Sequence, residues 1–249
     1  MSYNVENLFD DVDNGTEFRQ YDPGAGKWNT ESFALRVDTI AEVVRKAVPG
    51  GPDILLLQEI ENENALRVLR DRGLAGMGYD HLVMVPKRRL AANVAILSRL
   101  PVARVHTWQV GAFESSPVRD ILEIEIEREG RILHLLDNHW KSKTDGARQT
   151  EVSRQEAAGV VARRLREILA ADPAADVVVA GDFNESVDEY ARAARGYLTA
   201  LIPEDVTVPI EARAATIVLS GNARRLGIVE DSLVLYEPWF ELAPSQRGS

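Results

Sequence analysis

The sequence predicts a mixed α/β fold, and three observations carry this prediction. Two short apolar runs, 53–57 and 177–180, are typical of strands that are buried on both faces. Two longer segments, 31–48 and 150–171, carry apolar residues at helical spacing. Strict alternation of apolar residues and glutamates over 122–127 predicts a strand with one buried and one solvent-facing side, and therefore an antiparallel partner.

The other elements follow from the same two periodicities. A first strand is expected to turn outward at 4–7, and Asn29 or Thr30 can cap the helix that Pro49-Gly50-Gly51-Pro52 ends. The acidic segment 10–27 is predicted to be a surface loop, because its Asp and Gly spacing does not fit an EF-hand. The remaining predicted elements are a helix at 61–71, strands at 79–85, 92–98, 101–110 and 131–137, a helical segment at 189–195, and strands at 216–219 and 228–235.

Composition narrows the function classes. The net charge of −10 argues against a protein that binds nucleic acid through a broad basic face, although an enzyme can still reach phosphate through a bound cation. The basic run Lys87-Arg88-Arg89 is more typical of a solvated hairpin tip than of a phosphate site. The chain has no cysteine, which excludes disulfides and thiolate metal sites. No apolar run is long enough to span a membrane, and no linker divides the chain, so a single domain over 1–249 is expected.

Polar side chains follow three of the predicted buried strands. Gln58-Glu59 follows the first, Asn138-His139 the second, and Gly181-Asp182-Phe183-Asn184 the third, while Asn4 stands at the end of the initial strand. Each motif alone is also compatible with a polar turn, in which Asp182 and Asn184 cap the chain after Gly181. Their recurrence at strand ends favours a rigid rim that carries a functional site.

The residue types at this rim suit phosphate chemistry. Glu59 and an amide oxygen are hard oxygen donors of the kind that Mg²⁺ prefers, whereas the chain has too few histidines for a closed zinc site. Asp182 beside His139 suits proton transfer to or from a water, and His139 and Asn184 can donate to a phosphate oxygen. The set predicts a metal-assisted phosphoester hydrolase.

In their order along the chain, these motifs resemble the endonuclease/exonuclease/phosphatase superfamily, which includes pancreatic-type deoxyribonucleases, abasic-site endonucleases, sphingomyelinases and inositol-polyphosphate phosphatases. Within it, the segments Asn4-Val5-Glu6-Asn7-Leu8-Phe9-Asp10 and Asn138-His139-Trp140-Lys141-Ser142-Lys143 resemble a bacterial branch of predicted extracellular nucleases. The resemblance covers nearly the whole chain.

The resemblance implies a four-layer αββα sandwich of two mixed, mainly antiparallel sheets flanked by helices, with the site at one end of the sheets. It implies Mg²⁺, with Mn²⁺ or Ca²⁺ as alternatives, and nucleic acid or another phosphoester as the substrate. By the resemblance, Glu59 would be the main metal ligand, assisted by Asn4, and Asp182 would orient or deprotonate the attacking water. Asn184 would hold the phosphate, and His139 would stabilise or protonate the phosphate side of the reacting group. We also expect Asn138, Arg119 and Lys141 to bind substrate.

The sequence departs from the family pattern at its C-terminal end. Family members finish with a Ser-Asp-His segment, but the four histidines here are His81, His106, His134 and His139, all before Asp182. We therefore expect a domain truncated at both ends, with an incomplete sandwich. A phosphomonoesterase or lipid-headgroup phosphodiesterase, and a catalytically impaired binding module, remain alternatives to a nuclease. The family resemblance alone suggests an extracellular or periplasmic location, and a monomer is favoured.

Overall fold

Two mixed four-stranded sheets form the first of two units into which the chain divides. The computed structural model describes residues 1–85, 90–111, 118–194, 196–224, 226–243 and 246, so the basic run Lys87-Arg88-Arg89 lies outside the described residues. The first unit comprises Met1–Gln109, Phe113–His139 and Asp176–Asp182; the second comprises Val110–Ala112, Trp140–Ala175 and Phe183–Ser249. The single domain over 1–249 stays a prediction.

The first sheet has the strand order β1-β2-β4-β3. Strands β1 and β2 are parallel, and β4 runs antiparallel to both β2 and β3. One face of this sheet packs on helix α1 in an apolar core. The bounds are β1 (Ser2–Leu8), α1 (Thr30–Ala47), β2 (Ile54–Ile60), β3 (His81–Met84) and β4 (Asn93–Ser98).

Helix α1 forms where the apolar periodicity predicts it. Its buried side chains, among them Phe33, Val37 and Ile40, recur at three- and four-residue intervals and so lie on one face. The Asn29 side chain accepts a hydrogen bond of 3.0 Å from the backbone nitrogen of Ser32 and caps the helix, as predicted. After β2 the chain forms the short helix α2 (Glu63–Val68) and a π-helical turn (Leu69–Gly73).

The second sheet has the strand order β5-β6-β7-β8, with antiparallel pairs except for the parallel pair β7 and β8. A second apolar core lies between the two sheets and takes side chains from both, for example Leu56 and Ile96 from the first and Ile124 and Leu135 from the second. Helix α1 and the two sheets therefore form three successive layers. The bounds are β5 (Arg104–Trp108), β6 (Ile121–Arg128), β7 (Arg131–His139) and β8 (Asp176–Asp182).

The glutamates that alternate along β6 differ from the prediction. Only Glu127 is exposed, whereas Glu123 and Glu125 are buried. The indole nitrogen of Trp108 donates to Glu123 at 2.6 Å, and Arg104 contacts Glu125 at 3.3 Å. The prediction of a wholly solvent-facing side was wrong because neighbouring polar side chains of the same sheet satisfy these carboxylates, which makes their burial tolerable.

The predicted acidic loop is tied to the first sheet through its first residue. The backbone nitrogen of Asp10 donates to the Glu61 carboxylate at 2.8 Å, and the Trp28 indole donates to the Asp10 carbonyl at 2.7 Å. Burial raises the pKa of Glu61 to about 7, and the nearby Asp10 carboxylate and the Glu17 carboxyl add to the effect. Glu61 therefore holds a proton more tightly than an ordinary glutamate does.

The second unit contains a further four-stranded sheet in the order β11-β12-β10-β9. The predicted strand over 228–235 is instead a tight hairpin, because Glu230 and Asp231 adopt positive φ and turn the chain. Strand β9 was not predicted. The bounds are α3 (Glu151–Ala171), α4 (Glu189–Arg192), β9 (Leu201–Pro203), β10 (Ile217–Ser220), β11 (Gly227–Val229) and β12 (Ser232–Tyr236). Helix α3, which corresponds to the helix predicted at 150–171, belongs to this unit.

A buried arginine organises the start of this second unit. Arg154 is fully buried on α3 and bonds to the carboxylates of Glu151 at 2.7 Å and Glu185 at 3.2 Å. It also donates to the backbone carbonyls of Lys141 at 3.1 Å and Ala147 at 2.6 Å. Burial and the adjacent Glu151 raise the pKa of Glu185 to about 8, so one arginine and two acidic side chains form a nearly neutral group.

None of the helices in the described part of the chain is long and apolar enough to cross a membrane.

Candidate active site

Irregular backbone at the ends of β1 and β2 sets up the candidate site. The register of β2 against β4 shifts between Gln58 and Ile60, and Glu59 has a φ of 69°. A bulge of this kind re-aims a side chain, and positive φ at a non-glycine residue is a strained conformation that is concentrated at functional sites. Glu6 and Asn7 at the end of β1 also have positive φ.

The Asn4 amide joins two carboxylates from different sheets of the first unit. Its nitrogen donates to Glu59 at 3.2 Å and to Asp182 at 2.8 Å. Its oxygen accepts from the backbone nitrogen of Glu6 at 2.9 Å, which fixes the orientation of the amide. Glu59 and Asp182, called the rim carboxylates below, are thereby held close together although they are far apart in the sequence.

His139 faces the same two carboxylates. Its Nε2 lies 3.6 Å from Glu59 Oε1 and 3.8 Å from Asp182 Oδ2, and the register of β7 against β8 places it directly beside Asp182. Burial lowers the pKa of His139 from 6.5 to about 3, helped by the positive charge of Arg119 and opposed by Asp182. The ring is therefore neutral near pH 7, and its side chain is only 3% exposed. This geometry favours a part in holding the rim carboxylates.

Arg119 supplies the positive charge of the site. Its Nε donates to the backbone carbonyl of Ala92 at 2.9 Å. Burial lowers the pKa of the guanidinium, while Glu59 and Asp182 act in the opposite direction. Arg119 was predicted to bind substrate, and its position near both rim carboxylates suits contact with an anion.

Asn138 is buried and bonded to backbone, and its predicted role in substrate binding stays a prediction. Its side chain is fully buried and donates to the backbone carbonyls of Leu136 and Ala180, at 3.1 Å each. Gly181 lies directly beside it, and a Cβ added there would lie 2.0 Å from the Asn138 carbonyl oxygen. Gly181 is thus a strand residue required by the close approach of β7 and β8, which excludes the alternative in which a turn begins at this glycine.

Asn184 and Lys141 belong to the second unit. The Asn184 side chain donates to the backbone carbonyl of Trp140 at 3.1 Å, and the Trp140 ring packs edge-on against Phe183 at 4.9 Å. Lys141 forms an ion pair with Asp145 at 2.6 Å. Their predicted roles in phosphate and substrate binding stay predictions.

The residues at the rim fit a hard divalent cation. Two carboxylates converge on one amide, and carboxylate and amide oxygens are the donors that Mg²⁺ takes in proteins. Glu59 and Asp182 are the residues that would hold it, while the Asn4 nitrogen faces both carboxylates and its oxygen accepts from Glu6. The predicted role of Asn4 as a second ligand stays a prediction, and sequence reasoning gave Asp182 only a role toward water.

A second polar cluster was missed. Glu123, Glu125 and His134 offer ligand atoms within 4.8 Å of one another and could hold a metal ion. They lie on the face of the second sheet opposite to the core between the sheets, away from the rim. The signal was present in the sequence, because His134 interrupts an apolar strand opposite two glutamates.

Sequence reasoning also missed a buried pair beneath the rim. The Gln58 amide donates to the carboxylate of Asp137 at 2.6 Å, and both side chains are inaccessible to solvent. An Asp that follows Leu135-Leu136 in a buried strand was the available signal.

Comparisons with known proteins agree with the architecture. The structure of TDP2 from C. elegans is 22% identical with a TM-score of 0.52, over 76% of this chain and 48% of that chain. A beta hairpin deletion mutant of beta toxin from Staphylococcus aureus is 18% identical with a TM-score of 0.52, over 83% of this chain and 75% of that chain. This chain thus spans about half the length of the TDP2 structure, and identities at this level concern the fold alone. No match was found among curated proteins.

The family is established by a sequence match. The model of the endonuclease/exonuclease/phosphatase family matches residues 1–198, which include Asn4, Glu59, His139 and Asp182. Together with the layered sheets and the strand-end motifs, this match shows that the chain belongs to the endonuclease/exonuclease/phosphatase family.

Proposed function

We propose that this protein is a divalent-metal-dependent phosphodiesterase that acts on nucleic acid. The observation that carries the proposal is the convergence of the rim carboxylates on Asn4 and His139 at the ends of two sheets. Two carboxylates, one amide and one neutral imidazole form a donor set suited to a hard cation and to a water that attacks phosphate.

Each site residue of the first unit has a separate role in the proposed reaction. Glu59 would be the main metal ligand, and Asp182 would be a second ligand that also orients the attacking water and accepts its proton. The Asn4 amide would hold both carboxylates in place through its nitrogen. The bound cation would neutralise charge that develops on the phosphate oxygens. Arg119 attracts the anionic substrate, and the neutral His139 keeps the rim carboxylates in place.

A metal-dependent assay tests this proposal. The purified chain is incubated with plasmid DNA and with a chromogenic phosphodiester, in Mg²⁺, Mn²⁺ or Ca²⁺ and in chelator. We expect turnover with metal only, and a loss of about 10²–10⁴-fold in Asp182→Asn and Glu59→Gln. Glu42→Gln is the matched control, because Glu42 is an exposed residue on α1 that pairs with Lys46.

Binding of the cation can be measured separately from turnover. Mg²⁺ should raise the melting temperature of the wild-type chain, because a ligand that binds only the folded state stabilises it, and Glu59→Gln should abolish the rise. A melting-temperature rise without turnover would overturn the proposed reaction and support the alternative of a binding module. Equal turnover in wild type and both rim variants would remove the rim from the mechanism.

The acidic surface favours one alternative substrate class. A net charge of −10 repels a long polyanion, whereas a lipid headgroup or a small phosphoester carries fewer phosphates. Salt dependence separates these cases: activity on nucleic acid should fall steeply between 50 and 200 mM salt, with the slope set by the number of phosphates contacted. A flat salt profile with faster hydrolysis of phosphocholine esters would favour the lipid class.

A further inference from the structure

Strand β1 leaves its regular register directly beside the rim. Asn4 pairs with Gln58 and Leu8 pairs with Ile60, so three residues of β1 lie opposite one residue of β2. These three residues, 5–7, are called the β1 excursion below. Because the amide that joins the rim carboxylates directly precedes the excursion, the shape of the excursion bears on the rim.

The β1 excursion has a conformation that its residues do not favour by themselves. Glu6 and Asn7 both adopt positive φ, of 51° and 71°. Positive φ at non-glycine residues is strained and persists only where surrounding contacts impose it. Val5 and Leu8 are buried in the core beside α1, but Glu6 is exposed, so burial does not hold the middle of the excursion.

Arg36 of α1 contacts the backbone of the excursion. One terminal nitrogen of its guanidinium donates to the backbone carbonyl of Val5 and also to that of Glu6, the second at 2.6 Å. Hydrogen bonds from a charged donor are stronger than those between neutral groups. Phe33 and Val37 of the same helix are buried in the core that α1 shares with the first sheet, so the helix that carries the guanidinium is fixed relative to β1.

Arg36 and Asn4 bond to opposite ends of one peptide unit. The Val5 carbonyl accepts from Arg36, and the Glu6 N–H of the same unit donates to the Asn4 side-chain oxygen at 2.9 Å. A trans peptide unit is planar, so its N–H points away from its carbonyl. When Arg36 fixes the direction of the carbonyl, it also fixes the direction of the N–H that orients the Asn4 amide.

The orientation of the Asn4 amide decides which of its atoms faces the rim carboxylates. With its oxygen held by Glu6, its nitrogen faces Glu59 at 3.2 Å and Asp182 at 2.8 Å. The reversed amide would place an acceptor oxygen against two carboxylates and remove the donor that they share. A continuous series of hydrogen bonds therefore runs from Arg36 to both rim carboxylates.

We propose that Arg36 is a positioning residue, which holds the β1 excursion so that the Asn4 amide presents its nitrogen to Glu59 and Asp182. The consequence for catalysis rests on the proposed function, but the effect of Arg36 on the geometry does not. Arg36 acts through the peptide unit between Val5 and Glu6, and this role needs no contact with substrate.

Amide hydrogen exchange at Glu6, followed by NMR in chelator, measures this contact without substrate or metal. Glu6 is exposed, so protection of its amide depends on the bond to Asn4. Arg36→Met keeps an unbranched apolar stem and loses the donors. Exchange at Glu6 should become about 10–100-fold faster in this variant, as expected for the loss of hydrogen bonds from a charged group. Arg36→Lys, which keeps a charged donor, should recover part of the protection.

Arg45→Met is the matched control, because Arg45 also lies on α1 and also donates to a backbone carbonyl, that of Gly73. Exchange at Glu6 should be unchanged in this control. An unprotected Glu6 amide in wild type, unchanged exchange in Arg36→Met, or equal acceleration in Arg36→Met and Arg45→Met would each overturn the proposal. If Arg36→Met does not fold, Arg36→Gln, which stays polar but is shorter and uncharged, replaces it with the same expected acceleration.

Activity separates this inference from the proposed function. If wild type hydrolyses phosphodiesters, Arg36→Met should lower kcat by about 10–100-fold with little change in KM, as is typical for partners that orient site residues. Asn4→Ala combined with Arg36→Met should lose little more than Asn4→Ala alone, because Arg36 acts through Asn4. An unchanged kcat in Arg36→Met, or additive losses in the double variant, would overturn the proposal. If wild type shows no turnover, the proposed function fails while hydrogen exchange still decides the role of Arg36.

Discussion

Gly181→Ala tests whether the close approach of β7 and β8 is what aligns the rim. Gly181 pairs with Asn138 in the parallel register, one position before the pair of His139 and Asp182. An added Cβ would lie 2.0 Å from the carbonyl oxygen of Asn138 and 2.6 Å from its nitrogen. Both are backbone atoms, so relief requires the two strands to move apart, and the His139–Asp182 pair must move with them.

The expected cost has two parts. Overpacking of a well-packed region costs about 1–3 kcal/mol. The φ of 134° at this position adds strain of about 1–3 kcal/mol for a residue with a Cβ. Gly181→Ala should therefore lower the free energy of unfolding by about 2–6 kcal/mol, which is a large share of the stability of a typical domain.

The matched control is Gly130→Ala in the turn between β6 and β7. Gly130 has a φ of 75°, but nothing lies within 4 Å of its added Cβ, so this variant isolates the backbone strain. Urea denaturation of both variants, with the Mg²⁺-induced rise in melting temperature as a second readout, gives the comparison. We expect Gly181→Ala to lose more stability and most of its Mg²⁺ response. Equal losses in the two variants would refute the steric argument.

Three further predictions follow from buried charges. The pKa of Glu61 is raised in the folded protein, so its protonated carboxyl stabilises the fold fully below about pH 4.5, and this contribution is lost as pH rises through about 7. The melting temperature of the wild type should therefore fall between about pH 5 and 8, and Glu61→Gln, which does not titrate, should make this fall smaller. Asn4→Asp replaces an amide donor with a third carboxylate at the rim, so the melting temperature should fall in chelator and the Mg²⁺-induced rise should increase. Arg154→Met leaves two buried glutamates unpaired and should cost about 3–5 kcal/mol in urea denaturation, against at most about 1 kcal/mol for the exposed control Arg72→Met.

Periodicity predicted the long elements well. The helix expected at 31–48 runs from Thr30 to Ala47, and the helix expected at 150–171 runs from Glu151 to Ala171. Both have an apolar stripe over many turns, and such a long periodic pattern distinguishes a helix from a strand more reliably than a short one does. The predicted strands were also found, although β2 extends to Ile60 and so includes Glu59 within the strand. The prediction that 177–180 is buried on both faces was wrong: β8 lies at the edge of its sheet and Val178 is exposed.

Features that depend on a partner in space were not predictable. The hairpin between β11 and β12 has Glu230-Asp231 at its turn, which is not the Asn-Gly or Asp-Gly pair that marks such turns in a sequence. The burial of Glu123 depends on the Trp108 indole, which lies on a neighbouring strand. Neither the turn nor the burial of Glu123 can be predicted from the sequence of a single strand.

Side chains alternate between the two faces of a strand, and this alternation decides which residues of each motif lie at the rim. On β7, His139 shares the face of the core residue Leu135, whereas Asn138 points to the other side and bonds to backbone. On β8, Asp182 shares the face of Ala180, and Gly181 makes room for the neighbouring strand. Counting in twos from a core residue would therefore have separated His139 from Asn138 in the sequence.

Glu59 does not follow this two-residue alternation, because β2 has a bulge with a strained backbone conformation at this residue. Leu56 and Gln58 face the second sheet, so an unbroken β2 would turn Glu59 toward α1 and Ile60 toward the second sheet. Instead Ile60 packs in the core beside α1, because the bulge at Glu59 shifts the alternation by one residue. The strain of a positive φ at this one position is what brings the main proposed metal ligand onto the same face as Asp182.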